Sequence, residues 1–128
     1  MKIERIDHLV LTVKDPEKTV EFYVSVLGMK RMCFGDNRLA LQFGQQKINL
    51  HKLHDEIEPN AQNATIGSAD LCLITSTPVD QAITHLKTHG VSILEGPVHR
   101  TGALGPIISI YFRDPDRNLI ELSNYPGC

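Results

Sequence analysis

The sequence predicts an α+β fold of two tandem βαβββ modules, whose strands form an open, curved, mixed β-sheet barrel with the helices outside. Two observations predict it. Short apolar runs of strand length alternate with two helical patterns, and the whole series occurs twice along the 128 residues. Neither module can bury both faces of a four-stranded sheet alone, so we expect the two sheets to share the burial.

The first module opens with an apolar, β-branched run over residues 6–13, which is typical of a strand. Asp15-Pro16-Glu17 then predicts a helix start, because a capping acid and a proline at the first helical position both favour a helix N-terminus. Gly28 predicts the helix end. The apolar face of this helix has the spacing i, i+3, i+4 and i+7, at Val20, Tyr23, Val24 and Leu27. Three strand candidates follow, near 29–34, 38–43 and 47–53.

The second module repeats this order, beginning with a strand over residues 69–75. Thr77-Pro78 predicts a helix start with Asp80 near a capping-box position, and Gly90 predicts its end. Strand candidates recur near 91–98, 107–113 and 118–125. Residues 99–106 contain two glycines and a proline and are expected to form a mobile loop beside the cleft.

The two modules align as an internal duplication. Laid over each other, they pair His8 with Asp70, Pro16 with Pro78, Gly28 with Gly90, Leu41 with Ile110, Phe43 with Phe112 and Asn49 with Glu121. We therefore expect a single domain over residues 1–128, composed of modules 1–53 and 69–126 and a polar linker 54–68.

The composition excludes several classes of function. A net charge of -2 with 22% charged residues gives no reason to expect a nucleic acid or an anionic membrane as partner. No apolar run approaches the roughly 18 residues of a membrane span, and the start of the chain lacks a signal-peptide cleavage site. Cys33 and Cys72 fall in strand patterns and are expected to be reduced core residues, with Cys128 as the odd third cysteine. These features predict a soluble, cytoplasmic protein.

One carboxylate interrupts the last apolar strand. Glu121 stands among leucines and isoleucine, where a charge is costly unless it is exposed, paired or bound to a metal. Strand parity directs it to the concave face together with His8, His51 and Asp70. Imidazole nitrogen and carboxylate oxygen suit Zn, Fe, Mn, Ni or Co, so these four residues are the candidate metal ligands. The same face receives Arg38, Asn49 and Tyr111.

Purely structural roles compete with this interpretation. Glu121 can instead form an ion pair with Arg38 or Arg113, and His8 can be a hydrogen-bonded core histidine. Asp70 can bond the backbone amides that precede its strand. For Tyr111, ordinary packing is the alternative to a role in substrate binding.

Longer stretches carry a family resemblance over nearly the whole chain. The segments IDHLVLTVKDPEKTVEFYVSVLGMK and YFRDPDRNLIEL resemble the vicinal oxygen chelate superfamily. This superfamily includes glyoxalase I, extradiol dioxygenases, fosfomycin-modifying enzymes and bleomycin-resistance proteins. RLALQFGQQKINLH (38–51) and GPIISIYFRDPDRNLIELSNY (105–125) are closer still to the glyoxalase-domain-containing protein 5 subgroup.

The resemblance implies metal ligands in the first and last strand of each module, which here are His8, Asn49, Asp70 and Glu121. His8 and Glu121 match the family pattern, and Glu121 is the implied catalytic residue. Asp70 stands where a histidine is usual, and Asn49 stands where glyoxalase I has a glutamate. His51 lies two residues further along the same face and offers a replacement imidazole.

The implied function is a metal-dependent enzyme in which a divalent ion (Zn, Ni, Mn, Fe or Co) chelates vicinal oxygens of a small substrate. Lyase or isomerase chemistry is the first expectation and dioxygenase chemistry the second. The expected substrate contacts are Asn49, Arg38, Tyr111 and Arg100. The alternative is a metal-free, bleomycin-resistance-like binding protein, which the imperfect ligand set favours and the 5% aromatic content disfavours. We also expect a homodimer.

Overall fold

The computed structural model describes residues 1–127 and divides into unit 1, Met1–Gly67, and unit 2, which begins at Ser68. Unit 1 contains β1 (His8–Val13), α1 (Pro16–Ser25), β2 (Lys30–Phe34), β3 (Arg38–Phe43) and β4 (Gln46–Lys52). Unit 2 contains β5 (Asp70–Ile74), α2 (Val79–Thr88), β6 (Glu95–Gly102), β7 (Gly105–Arg113) and β8 (Leu119–Asn124). The α+β class and the two tandem βαβββ modules are therefore confirmed.

The eight strands form two separate four-stranded mixed sheets and not one closed barrel. The strand orders are β1-β4-β3-β2 in unit 1 and β5-β8-β7-β6 in unit 2. In each sheet the first and last strands of the module run parallel and the other pairs run antiparallel. The two sheets therefore have the same topology. The prediction that they belong to one domain stays a prediction.

The helix of unit 1 starts as its sequence predicts. Asp15 is the N-cap residue, and its Oδ1 accepts hydrogen bonds from the amides of Glu17 and Lys18 at 3.1 and 3.2 Å. Gly28 follows the helix with φ +70°, a left-handed conformation that favours glycine. The helix buries Tyr23 completely, in a core that also contains fully buried side chains of the sheet such as Leu41 and Ile48.

The helix of unit 2 is capped from a distant strand. Its N-cap residue is Pro78, whose side chain has no acceptor, so Asp80 does not close the expected capping box. Instead, Oδ1 of Asn124 at the end of β8 accepts a hydrogen bond from the Val79 amide at 2.9 Å. The side-chain amide of Asn124 also donates to the carbonyl oxygen of Thr75 at 2.8 Å. A long-range contact thus replaces the local cap.

The prediction that residues 99–106 form a loop is wrong. These residues form the closed end of the β6–β7 hairpin, where Arg100 pairs with Ile107 and Gly102 with Gly105. Gly105 has φ +135°, so the glycine serves a tight turn that other residues would strain. The strand predicted from residue 91 begins instead at Glu95.

The register confirms most of the overlay of the modules and corrects one strand. Leu9 pairs with Ile48 and Leu71 with Ile120, so the first and last strands correspond as the sequence predicts. In the third strands, Leu41 pairs with Ile48 whereas Phe112 pairs with Ile120. Phe112, and not Ile110, is therefore the counterpart of Leu41. A shift of two residues preserves the face of every side chain, which is why the sequence pattern did not reveal it.

The two cysteines within the described chain are exposed, which corrects their expected place in the core. Cys33 lies on β2 and Cys72 on β5. Cys128 lies outside the described residues. Neither α1 nor α2, the helices of the described part of the chain, is long and apolar enough to cross a membrane.

Candidate functional site

Unit 1 carries a polar face on the side of its sheet that also bears His8. Val10 pairs with Asn49 and Thr12 with His51, so the side chains of β1 and β4 at these positions share that face. Ala40 of β3 pairs with Asn49, which places Arg38 on the same face by alternation. We call the set His8, Phe34, Arg38, Lys47, Asn49 and His51 the unit 1 polar face.

Two side chains of this face are buried with unmet hydrogen-bonding capacity. Asn49 and His51 are each only 5% exposed. Neither ring nitrogen of His51, nor Oδ1 of Asn49, has a hydrogen-bond partner among residues 1–127. Burial, reinforced by the nearby Arg38 charge, lowers the pKa of His51. The imidazole is therefore held neutral, with one nitrogen lone pair that can bind a metal or accept a hydrogen bond.

His8 lies at the start of β1 with its side chain 43% exposed. Its Nδ1 is 2.8 Å from Oδ2 of Asp7, and this hydrogen bond is the main reason why the pKa of Asp7 is lowered. A carboxylate that accepts from one ring nitrogen fixes the tautomer and leaves the other nitrogen as a free donor atom. Asp7 was not anticipated, because an acid next to a histidine has no pattern of its own in a sequence.

Unit 2 carries the corresponding polar face, around Glu121. Register places Cys72, Tyr111 and Glu121 side by side, and Ser109 opposite Ser123. Oε2 of Glu121 accepts a hydrogen bond of 2.6 Å from the Ser109 hydroxyl. The Ser109 oxygen is also 2.6 Å from the Ser123 oxygen, which lies 3.4 Å from the Cys72 sulfur. We call the set Asp70, Cys72, Ser109, Tyr111, Glu121 and Ser123 the unit 2 polar face.

The hydrogen bonds that link Cys72, Ser123, Ser109 and Glu121 all run in one donor-to-acceptor direction. Ser109 has one hydrogen and gives it to the carboxylate, so Ser123 must donate to Ser109. The Cys72 thiol must then donate to Ser123. Both serines are completely buried, so water does not compete for these bonds. Ser109 was missed from the sequence, although it lies two residues before Tyr111 and therefore on the same face.

Tyr111 connects Glu121 with Arg100. Nε of Arg100 donates to the Tyr111 hydroxyl oxygen at 3.1 Å, and Nη2 of Arg100 donates to Glu95 at 3.3 Å. Burial and the Glu121 carboxylate raise the pKa of Tyr111, against the opposing effect of Arg100. Tyr111 therefore keeps its proton and presents it to Glu121. Arg100, predicted as a substrate contact, makes these hydrogen bonds within unit 2 instead.

The expected ion-pair partners of Glu121 have other contacts. Nη1 of Arg113 donates to the carbonyl oxygen of Arg117 at 3.4 Å, and the Arg38 guanidinium lies over the Phe34 ring. Glu121 is instead held by neutral hydroxyl groups. Its negative charge is therefore not neutralised by either arginine that the sequence offered.

The polar turn before β8 positions that strand beside β5. Asp114 is buried, and its Oδ1 accepts from the amides of Asp116 and Asn118 at 2.9 Å each. Oδ1 of Asn118 accepts from the Ala69 amide, also at 2.9 Å. Asn118 therefore holds the backbone amide of the residue directly before β5. Asp70 is exposed at the start of β5.

The donor chemistry of the two faces fits a divalent transition metal. The bond to Asp7 leaves the second ring nitrogen of His8 for a metal, and the neutral His51 has a buried nitrogen without a partner among residues 1–127. Glu121 offers a carboxylate that accepts hydrogen bonds from Ser109 and Tyr111. Nitrogen and carboxylate oxygen are the usual ligands of Zn, Fe, Mn, Ni and Co. Among residues 1–127, no three His, Cys, Asp or Glu side chains form a group that would hold an ion by itself.

Comparison with known proteins assigns the class. The family model of the Glyoxalase/Bleomycin resistance protein/Dioxygenase superfamily matches residues 5–122, and the chain belongs to this superfamily. The resemblance drawn from the sequence is thereby confirmed at the level of the superfamily. Membership of the glyoxalase-domain-containing protein 5 subgroup stays a prediction.

Individual relatives cover almost the entire chain. Virulence protein STM3117 of Salmonella typhimurium is 58% identical over 125 residues, which are 98% of this chain and 87% of that protein. Glyoxalase domain-containing protein RDO1 of Mycosarcoma maydis is 52% identical over 125 residues, 98% of this chain and 70% of that protein. The solved structure of an integron cassette protein of V. cholerae is 61% identical, with a TM-score of 0.96 and 98% of each chain covered.

A more distant relative has a name that describes chemistry. Metallothiol transferase FosB of Shouchella clausii is 26% identical over 123 residues, 94% of this chain and 80% of that protein.

Proposed function

We propose that this protein is a metal-dependent enzyme that binds a small substrate through two adjacent oxygen atoms. His8 and Glu121 are the proposed ligands, completed by Asp70, His51 or both. One observation carries the proposal. The four positions where the superfamily implies ligands are two pairs of register counterparts, His8 with Asp70 and Asn49 with Glu121. Three of these four side chains are metal donors.

The proposal requires residues of unit 1 and unit 2 to meet around one ion, within one chain or across two chains. We therefore also propose a homodimer, the commonest symmetric assembly. Sedimentation at micromolar protein is expected to show twice the mass of the chain. A single species with the mass of one chain would contradict the dimer.

Two of the proposed ligands, His8 and Glu121, have supporting contacts in the structure. Asp7 orients the His8 ring, and the hydroxyl groups of Ser109 and Tyr111 orient the Glu121 carboxylate. The bound ion would polarise the substrate oxygens and stabilise an enolate or alkoxide. Asn49 and Tyr111 would hydrogen-bond the substrate beside it. Glu121, as the only carboxylate in its strand, is the proposed proton acceptor.

Lyase or isomerase chemistry is the first reaction class that we propose, and dioxygenase chemistry the second. Both belong to the superfamily named for glyoxalase and dioxygenase. The name of the distant FosB relative, a metallothiol transferase, also supports metal-dependent chemistry on a small molecule. Fold alone does not choose among these reactions, because one scaffold hosts several unrelated activities.

A metal-free binding protein is the second candidate, and one observation favours it. Asn49 occupies the position that corresponds to Glu121, and its buried Oδ1 has no partner among residues 1–127. Together with the neutral His51, it would suit the hydroxyl group of an uncharged organic ligand.

Elemental analysis of protein purified without chelator tests the proposal. The wild type is expected to contain about one equivalent of a transition metal, whereas His8→Gln and Glu121→Gln lose it because each removes one of few ligands. His99→Gln and Glu21→Gln, exposed residues with the same changes, are matched controls and should keep the metal. A folded wild type that contains no metal, and takes up none of the five candidate ions, would contradict the metal-dependent enzyme and support the metal-free binding protein.

A further inference from the structure

Two cations of the unit 1 polar face converge on one aromatic ring. Nζ of Lys47 lies 4.0 Å from the ring centroid of Phe34, and the guanidinium carbon of Arg38 lies 4.8 Å from it. Phe34 belongs to β2, Arg38 to β3 and Lys47 to β4. Three strands therefore bring two positive charges together, and each is attracted to the π-electron face of the same ring.

These charges are not neutralised within the described chain. The strand positions of β1 to β4 that share this face contain no aspartate or glutamate. Among residues 1–127, neither Arg38 nor Lys47 takes part in a salt bridge. Asp7 does feel the charge of Lys47, but its carboxylate is bonded to His8 and lies 3.8 Å from Arg5. The two cations thus leave a local excess of positive charge.

Unmet hydrogen-bonding groups lie beside this charge. Asn49 and His51 follow Lys47 at every second position of β4, so the three side chains share one face of the sheet. His51 and Asn49 are each 5% exposed, and both ring nitrogens of His51 and Oδ1 of Asn49 have no partner among residues 1–127. Buried polar atoms of native proteins are nearly always satisfied, so this arrangement calls for an occupant. The occupant that matches it carries an oxyanion for the cations and a hydroxyl for the neutral groups.

We infer that Arg38 and Lys47 form an anion subsite that binds a carboxylate, phosphate or phosphonate group of the substrate. This subsite is part of the proposed active site and rests on the proposed function only in treating its occupant as the substrate. A planar guanidinium can bind two oxygens of an oxyanion at once, whereas the lysine acts as a point charge. Arg100 of unit 2 does not compete for this role, because Tyr111 and Glu95 occupy it.

Titration of inorganic phosphate and of glycolate tests the subsite in the full chain with chelator present. Binding is followed by calorimetry and by amide chemical shifts. Arg38→Gln and Lys47→Gln are each expected to weaken binding roughly tenfold or more, because each removes a charged hydrogen bond. Lys30→Gln is the matched control, since Lys30 shares the face through its pairing with Gln42 but does not contact Phe34. It should change the dissociation constant less than about twofold.

A second test changes the Phe34 ring and leaves both charges in place. Phe34→Leu should weaken phosphate binding severalfold because it frees the cations that the ring holds, and Phe34→Tyr should restore it. Added salt should weaken binding in the wild type and in Lys30→Gln alike. Thermal unfolding confirms that each variant is folded.

The outcomes separate the subsite from the proposed metal chemistry. If neither phosphate nor glycolate binds the wild type, or if Lys30→Gln weakens binding as much as Lys47→Gln, the anion subsite is overturned. Anion binding by a protein that takes up no metal would support the subsite and refute the proposed enzyme. Metal binding by His8 and Glu121 without anion binding would support the proposed enzyme and refute the anion subsite.

Discussion

The polar faces of the two units share one topology and differ in how their polar atoms are satisfied. In unit 2, Glu121 and its neighbours form a continuous hydrogen-bonded chain that two buried serines direct. In unit 1, Oδ1 of the counterpart Asn49 and both ring nitrogens of the nearby His51 are buried without partners among residues 1–127. The charges differ as well, because Arg38 and Lys47 mark the face of unit 1 and Asp70 and Glu121 that of unit 2.

This difference shows how one duplicated module can supply two kinds of binding surface. A carboxylate fixed by internal hydrogen bonds has lost much of its freedom before any ligand arrives, which is the property of a prepared metal ligand. Buried groups without partners gain the most from a ligand, because binding removes the cost of leaving them unsatisfied. Under the proposed function, unit 2 would supply a carboxylate that is already oriented, and unit 1 would supply His8 together with buried groups that gain a partner from the substrate.

The largest effect is expected in the hydrophobic cores, where the units are most alike. Leu41 and Phe112 are register counterparts, and both are completely buried. Leu41→Ala should lower the free energy of unfolding by about 2–5 kcal/mol and Phe112→Ala by about 3–5 kcal/mol, because each opens a cavity. Urea unfolding measures both. The sequence placed Val24 on the apolar face of α1, but the structure leaves it exposed. Val24→Ala should therefore stay within about 0.5 kcal/mol, and a core variant with so small a loss would contradict the packing.

The next effect concerns the pair Asn49 and Glu121. Asn49→Asp places a carboxylate at the unit 1 position that corresponds to Glu121, so metal affinity should rise roughly tenfold. The same change should lower the stability of the metal-free protein by about 1–3 kcal/mol, because it buries a charge without a partner. Competition with a metal-sensitive dye measures the affinity. Gln42→Glu, an added acid at an exposed position of the same face, is the control. Equal gains in both variants would mean that only net charge matters.

A smaller effect separates satisfied from unsatisfied buried hydroxyls. Ser109→Ala should cost about 1–3 kcal/mol and weaken metal binding roughly tenfold, because Glu121 and Ser123 lose their shared partner. Thr19 of α1 provides the comparison in unit 1, although it is not the register counterpart of Ser109, because its buried Oγ1 has no partner among residues 1–127. Thr19→Val should be neutral or stabilising by up to about 1 kcal/mol. If Ser109→Ala changes stability but leaves metal affinity intact, the serine does not position Glu121.

The smallest effect is the pH dependence contributed by His51. Its pKa is lowered from the ordinary value of 6.5, so the unfolded chain takes up this proton at a higher pH than the folded chain. The contribution of His51 to stability is therefore complete above that value and is lost as the pH falls toward the lowered folded pKa. His51→Gln should show a shallower loss of stability on acidification with chelator present. The exposed His99→Gln should follow the wild type, and an identical slope for His51→Gln would contradict the buried, neutral histidine.

Much of the candidate site could be predicted from the sequence because strand parity is a local property. Alternation alone placed His8, Asn49, His51 and Glu121 on one side of their respective sheets. It could not predict that Ser109 would reach Glu121, since that contact joins side chains on two strands whose register the sequence does not specify. The same limit explains the two-residue slip in matching Leu41, because patterns of period two repeat at every second residue.

The sequence by itself determined the two modules, the start of α1 at Asp15 and the inward face of each strand. These features depend on spacing and on neighbours within a few residues. Only the tertiary structure decided that Asn124 caps α2, that residues 99–106 close a hairpin, and that His51 is left without a partner within the described chain. Each of these outcomes depends on which distant groups come within hydrogen-bonding distance, and that is set by packing and register.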